Sequence, residues 1–98
     1  MIQDPERHIT ANILKVSAKS NPNSVAGALA AVLREREAVE LQAVGAGAIN
    51  QAIKAVAIAR SYLRPSRIDL TCVPSFIDVQ ISGNERTGLS LAVERRAA

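Results

Sequence analysis

The sequence predicts a two-layer α/β sandwich, with two helices on one face of a four-stranded sheet in the order β-α-β-α-β-β. Three observations carry this expectation. Two segments, Asn23–Arg36 and the stretch after Gly47 to about Leu63, place apolar residues at helical spacing, and each lies between strand-like segments. After Pro65 the chain reads as strand and contains one tight-turn signal, Ser82–Glu85. Tyr62 and Phe76 are the only aromatics in a chain that is 48% apolar, so the core must be aliphatic and alanine-rich, which favours close approach of helices to a sheet.

The elements follow in order. Residues 1–12 are polar with an early proline and read as a flexible N-terminal extension to a single domain over 13–98. Ile13, Leu14 and Val16 make a first strand ending near Ala18. In the loop that follows, Asn21 or Asn23 can cap helical amides, and Pro22 suits a first turn, where its missing N–H costs nothing. Val25, Leu29, Val32 and Leu33 then recur at helical spacing, with Gly27, Ala28, Ala30 and Ala31 on the other side. Val39, Leu41 and Ala43 alternate with Glu40, Gln42 and Val44 as a short second strand. Ile49, Ala52, Ile53, Val56, Ala59 and Leu63 form the core stripe of the second helix, which Pro65 ends. Arg67–Val73 is a third strand, and Pro74 should interrupt it at an edge or bulge before Phe76–Ile81 resumes. Gly83 and Asn84 can take positive φ in the turn, Leu89, Leu91 and Val93 point inward from a last strand over Thr87–Glu94, and the tail frays.

Composition excludes several classes of function. One cysteine, Cys72, permits neither an internal disulfide nor a cysteine-based zinc site, and it reads as a buried small hydrophobe. The lone histidine, His8, lies in the polar N-terminal segment, away from any partner for a triad or metal site. No run of ~18 apolar residues exists to span a membrane, and no signal peptide is evident. No catalytic constellation, metal site or cofactor is expected, and the chain reads as a cytoplasmic protein. The net charge of +3 fits an anionic partner.

Two strand–helix–strand passages with right-handed crossovers put both helix N-termini at the same end of the sheet. Gly45-Ala46-Gly47-Ala48-Ile49-Asn50 has the start of a dinucleotide fingerprint, but Asn50 replaces the last glycine and the chain is too short for a second nucleotide-binding half. A phosphate-holding end fits better. Helix N-termini offer amides and partial positive charge, with Lys19 in the first turn region and Asn50 and Gln51 in the second. The competing reading is that the Asn and Ser residues are caps and that Gly45 and Gly47 only close a turn. Arg34, Arg36, Arg60, Arg64 and Arg67 belong to the opposite end, where they read as complements to helix dipoles and solvated surface. Ala55, Ile58 and Tyr62, with Gln51, form a stripe opposite the core stripe of the second helix. That stripe reads as a self-association surface, with cover by the N-terminal arm as the alternative.

LKVSAKSNPNSVAGALAAVLRE (Leu14–Glu35), GAGAINQAIKAVAIAR (Gly45–Arg60) and NERTGLSLAVE (Asn84–Glu94) closely resemble the stage V sporulation protein S family, over about Ile13 to Arg95. Glu37 departs from that pattern, standing where glycine is expected. The resemblance implies an Alba-like fold with a mixed sheet in the order 1-2-4-3 and one antiparallel strand. It also implies a dimeric or larger nucleic-acid binder that uses the first βα loop, the second βα turn and the final hairpin. Lys19 matches a loop lysine of Alba proteins, with Ser20 where a second basic residue stands. Gly45–Gly47 replace arginines, and Arg86 is the only arginine of a short hairpin. The expected contact set is Lys19, Ser20, Asn21, Gly45, Gly47, Asn50, Gln51 and Arg86, binding DNA or RNA without reading sequence. The expected function is that of a non-enzymatic sporulation or developmental regulator. The alternative is a self-associating scaffold that binds no nucleic acid.

Overall fold

The computed structural model describes residues 12–98. The expected N-terminal extension, apart from Asn12, lies outside the described residues. The elements are β1 (Ile13–Val16), α1 (Pro22–Leu33), β2 (Ala38–Ala43), α2 (Ala46–Leu63), a 3-10 turn (Arg64–Ser66), β3 (Ile68–Ile81) and β4 (Asn84–Ala97). The sheet order is β1-β2-β4-β3, with β1 parallel to β2 and β4 antiparallel to both its neighbours. This is the mixed, two-layer β-α-β-α-β-β architecture anticipated from the sequence.

Period-two alternation decides which side chains meet the helices. Leu14 and Val16, then Val39, Leu41 and Ala43, then Leu91 and Val93, share one face and join a single aliphatic core with Leu29, Leu33, Val56, Leu63 and Leu70. Each fully buried leucine contributes about 1.5–3 kcal/mol relative to its exposed state. The two helices meet through alanines. Ala26 and Ala30 of α1 and Ala48, Ala52, Ala55 and Ala59 of α2 are all buried.

That packing corrects two expectations. Ala30 and Ala55, placed by periodicity on outward faces, lie in the core, and Ile53, placed in the core stripe, is half exposed. The reason is that α2 is covered on two sides, by the sheet and by α1, so its buried arc is wider than a single stripe and is rotated toward α1. Ala55 therefore cannot form an intermolecular surface.

Three further differences concern the strands. Pro74 does not interrupt β3, which pairs with β4 residue for residue from Ile68↔Ala97 to Ile81↔Asn84. β3 is an edge strand, where a proline is tolerated because its missing N–H need not serve the ladder. The turn is made by Ser82 (φ 52°) and Gly83 (φ 79°) rather than by Gly83 and Asn84. Two successive positive φ values are the signature of the two-residue turn that matches strand twist. The hairpin is also long, not short. β2 stops at Ala43↔Leu89, so Ile77–Ile81 and Asn84–Gly88 pair only with each other and project roughly 16 Å beyond the sheet. At the other end the tail does not fray before Ala97 but stays paired with β3.

Candidate nucleic-acid interface

The ends of β1 and β2, the starts of α1 and α2 and the projecting hairpin all fall at one end of the sheet, because β4 runs antiparallel and brings Leu89 opposite Ala43. This βα end carries Lys19, Gly45, Gly47, Asn50 and Arg86, all exposed. It also carries Lys15, which sequence reading did not single out. Its alternation with the inward-facing Leu14 and Val16 was the available signal, since it turns Lys15 away from the helices.

The loop between β1 and α1 is built by its own hydroxyls. The Ser17 amide donates to Ser20 Oγ at 2.9 Å, the Lys19 amide donates to Ser17 Oγ at 3.2 Å, and the Ser20 amide donates to the Ser17 carbonyl at 3.0 Å. Asn21 Oδ1 accepts from the amides of Asn23 at 2.8 Å and Ser24 at 3.3 Å, which settles Asn21, not Asn23, as the cap of α1. Across the loop, Gln51 Nε2 donates to the Ser20 carbonyl at 2.9 Å. Ser20, Asn21 and Gln51, expected as contact residues, thus hold the loop in shape and leave Lys19 as its exposed cation.

The two helix starts differ. The α1 amides are satisfied by Asn21, whereas α2 begins at Gly45, which has no side-chain cap and adopts φ 91°, ψ 154°. Only glycine takes that conformation without strain. The helix starts at Ala46, two residues earlier than the sequence reading placed it, so Gly47 lies inside its first turn and Asn50 and Gln51 in its second. The first intrahelical bond here runs from the Ile49 amide to the Gly45 carbonyl at 3.0 Å. The amides before it have no partner within the helix, and the helix dipole adds partial positive charge. A Cβ built on Gly47 would lie 3.0 Å from Ala18 Cβ, so this uncapped turn packs directly against the residue preceding Lys19.

A cleft of about 300 Å³ opens where the hairpin meets β1 and β2, lined by Lys15, Ser17, Gln42, Val44, Val79 and Ile81 among others. Arg86 pairs across the hairpin with Val79, between Glu85 and Thr87. On the outer sheet face, Glu40 accepts from Gln42 Nε2 at 2.9 Å and from Ser90 Oγ at 2.8 Å, so the part-buried carboxylate is satisfied.

Among the other described residues no reactive group stands out. Burial raises the Cys72 thiol above its ordinary pKa and keeps it protonated. Asp69 is held well below the usual carboxylate range, first by the hydrogen bond from Arg60 and then by the Leu70 amide. Its oxygens lie 2.6 Å from Arg60 Nε and 3.3 Å from Arg96 Nη2. Among the described residues, no group of three or more His, Cys, Asp or Glu is placed to hold a metal, and no helix is long and apolar enough to cross a membrane.

The expected self-association stripe fares unevenly. Ala55 is buried, Ile58 packs against the core, and Tyr62 remains exposed. Among the described large apolar residues, the most exposed is instead Phe76, at 82%, on the helix-bearing face of β3 beside the hairpin.

A two-layer domain with this strand order, paired helix starts and a projecting hairpin has an Alba-like fold. The structure is similar to that of Alba from Thermoplasma volcanium, with a TM-score of 0.59 over 86% of this chain and 98% of that one. Sequence identity is only 16%, so this likeness establishes the fold. The chain belongs to the stage V sporulation protein S family, whose model matches residues 12–96.

Proposed function

We propose that the chain is a non-enzymatic, sporulation-related regulator that binds a nucleic-acid backbone at its βα end and acts as a dimer or larger oligomer. The observation that carries this reading is the uncapped start of α2 packed against the loop that presents Lys19. Phosphate oxygens are the natural acceptors for such amides, and a nearby cation adds charge without requiring any base contact. Arg86 on the projecting hairpin supplies a further cation at the same end. With few cations at that end, binding depends on amides and on repetition of subunits along the strand. Each phosphate contact contributes ~0.9 to the salt slope, so this end alone gives a shallow slope.

Fluorescence anisotropy with duplex DNA and duplex RNA across salt tests this reading, comparing wild type with Lys19→Glu. Weaker binding by the variant is expected for both nucleic acids. Saturable binding that is indifferent to the charge reversal would defeat the assignment of this site.

A second reading is a self-associating scaffold, favoured by the exposed Phe76 together with Ile53 on α2. An exposed aromatic on an apolar face is the kind of anchor that protein interfaces bury. Stable oligomers by light scattering with no nucleic-acid binding at low salt would select this alternative.

A further inference from the structure

The positive charge of the domain is concentrated at the end of the sheet opposite Lys19. Arg34 and Arg36 follow α1, Arg60 and Arg64 close α2, Arg67 precedes β3, and Arg95 and Arg96 end β4. The fold joins these separate segments into one row. The Arg95 amide donates to the Glu37 carbonyl at 3.0 Å, which sets the end of β4 beside the Arg34–Glu37 segment. Ile68 pairs with Ala97, which sets the same strand end beside Arg67, and Arg96 and Arg60 converge on Asp69.

Helix-dipole compensation accounts for only part of the row, chiefly Arg34 and Arg64, the C-cap residues of α1 and α2. α1 has no basic residue in its last turn, and α2 has only Arg60, which is already engaged by Asp69. Arg95 and Arg96 come from a strand, which has no comparable dipole. Among the described residues, Arg34, Arg36, Arg64, Arg67 and Arg95 have no carboxylate within ion-pairing distance, although Glu35, Glu37 and Glu94 lie in the same segments. Arg34, Arg36, Arg64 and Arg67 are exposed, and Arg95 is half-buried. Arg67 is held in the left-handed region (φ 59°) by the 3-10 turn, its amide donating to the Arg64 carbonyl at 2.9 Å. Every cation of the row is arginine, whose planar fork matches phosphate in a bidentate way that lysine cannot. Glu, Pro and Ser stand between most of these arginines, and of the two apolar residues between Arg60 and Arg64 only Tyr62 is exposed, so the row lacks the broad apolar centre that a protein partner would bury.

We propose that this arginine row is a second surface for a nucleic-acid phosphate backbone, separated from the Lys19 end by the length of β2, roughly 20 Å. It stands independently of the Lys19 reading. If both surfaces act, one subunit bridges two nucleic-acid segments.

The test is anisotropy with a fluorescent duplex at 50–200 mM salt on four full-length proteins. They are wild type, Arg34→Gln/Arg36→Gln/Arg64→Gln/Arg67→Asn, Lys19→Glu/Arg86→Glu, and the combination. The arginine-row variant is expected to weaken binding at least about tenfold and to lower the salt slope by about 2 to 4, at ~0.9 per lost contact. Circular dichroism melting checks folding. If the fourfold variant does not fold, the pairs Arg34→Gln/Arg36→Gln and Arg64→Gln/Arg67→Asn are read separately, each with about half the change in slope. Loss only with the arginine-row variant supports this proposal and defeats the Lys19 site, while loss with either set supports both. Loss only with Lys19→Glu/Arg86→Glu overturns this proposal and leaves that site standing, and no binding by wild type at low salt overturns both. Competition by poly-L-glutamate as strong as that by unlabelled duplex, abolished by the arginine-row variant, would also overturn it, in favour of an acidic protein partner.

Discussion

Gln51 Nε2 lies 2.9 Å from the carbonyl oxygen of Ser20, thirty-one residues earlier in the chain. This bond ties the loop that presents Lys19 to the second turn of α2. Gln51→Ala should therefore cost about 0.5–1.5 kcal/mol of stability, the net value of one such hydrogen bond. Urea denaturation measures that loss. Hydrogen exchange should show faster exchange at the Lys19 and Ser20 amides than in wild type, while the β4 amides stay protected.

Gly88 sits where β4 passes beneath the end of β2. A Cβ there would lie 2.8 Å from the Ala43 carbonyl oxygen and 2.8 Å from Val44 Cγ2. Backbone cannot yield as a flexible side chain can, so Gly88→Ala should destabilise by about 1–3 kcal/mol. The midpoint of urea unfolding should fall with the m-value unchanged.

The Asp69 cluster makes acid stability the readout. Its carboxyl is held below the ordinary range in the folded state by Arg60, so the unfolded chain binds this proton more readily. The stabilisation is fully present above the unfolded pKa of ~3.9 and is lost as pH falls through the lower folded value. Asp69→Asn should flatten the fall of stability below about pH 5 while changing the slope little near pH 7. Thermal melts at a series of pH values between 7 and 2 decide it.

Phe76 is exposed in the isolated subunit and Ala55 is not. If subunits associate through the helix-bearing side of β3, Phe76→Ser should shift sedimentation toward monomer without lowering the melting temperature of the monomer. A charge placed at Ala55 should instead unfold the subunit, because it would put an unpaired ion in the core.

Much of this was legible in the sequence because it depends on local pattern. The alternation of Val39, Leu41 and Ala43, and of Leu91 and Val93, fixed which strand faces meet the helices, and Gly45 and Gly47 marked a turn before the second helix. Where the sequence misled, more than one neighbour was acting. The buried arc of α2 depends on α1 as well as the sheet, so one-stripe reasoning exposed Ala55 and buried Ile53. Ser20, Asn21 and Gln51 have the polar groups of a phosphate site, but which of those groups the loop consumes depends on contacts as far apart as Ser20 and Gln51. Pro74 looked like a break because its tolerance depends on β3 lying at the sheet edge.

By itself, the sequence determined the element order, the aliphatic core and the family, since each is written in periodicity or in contiguous runs of residues. Only the tertiary structure decided how far the hairpin projects, which helix start stays uncapped, and that Arg95 and Arg96 of β4 join the arginines that follow the two helices. Those facts come from strand register and long-range hydrogen bonding, which join residues that no local pattern relates.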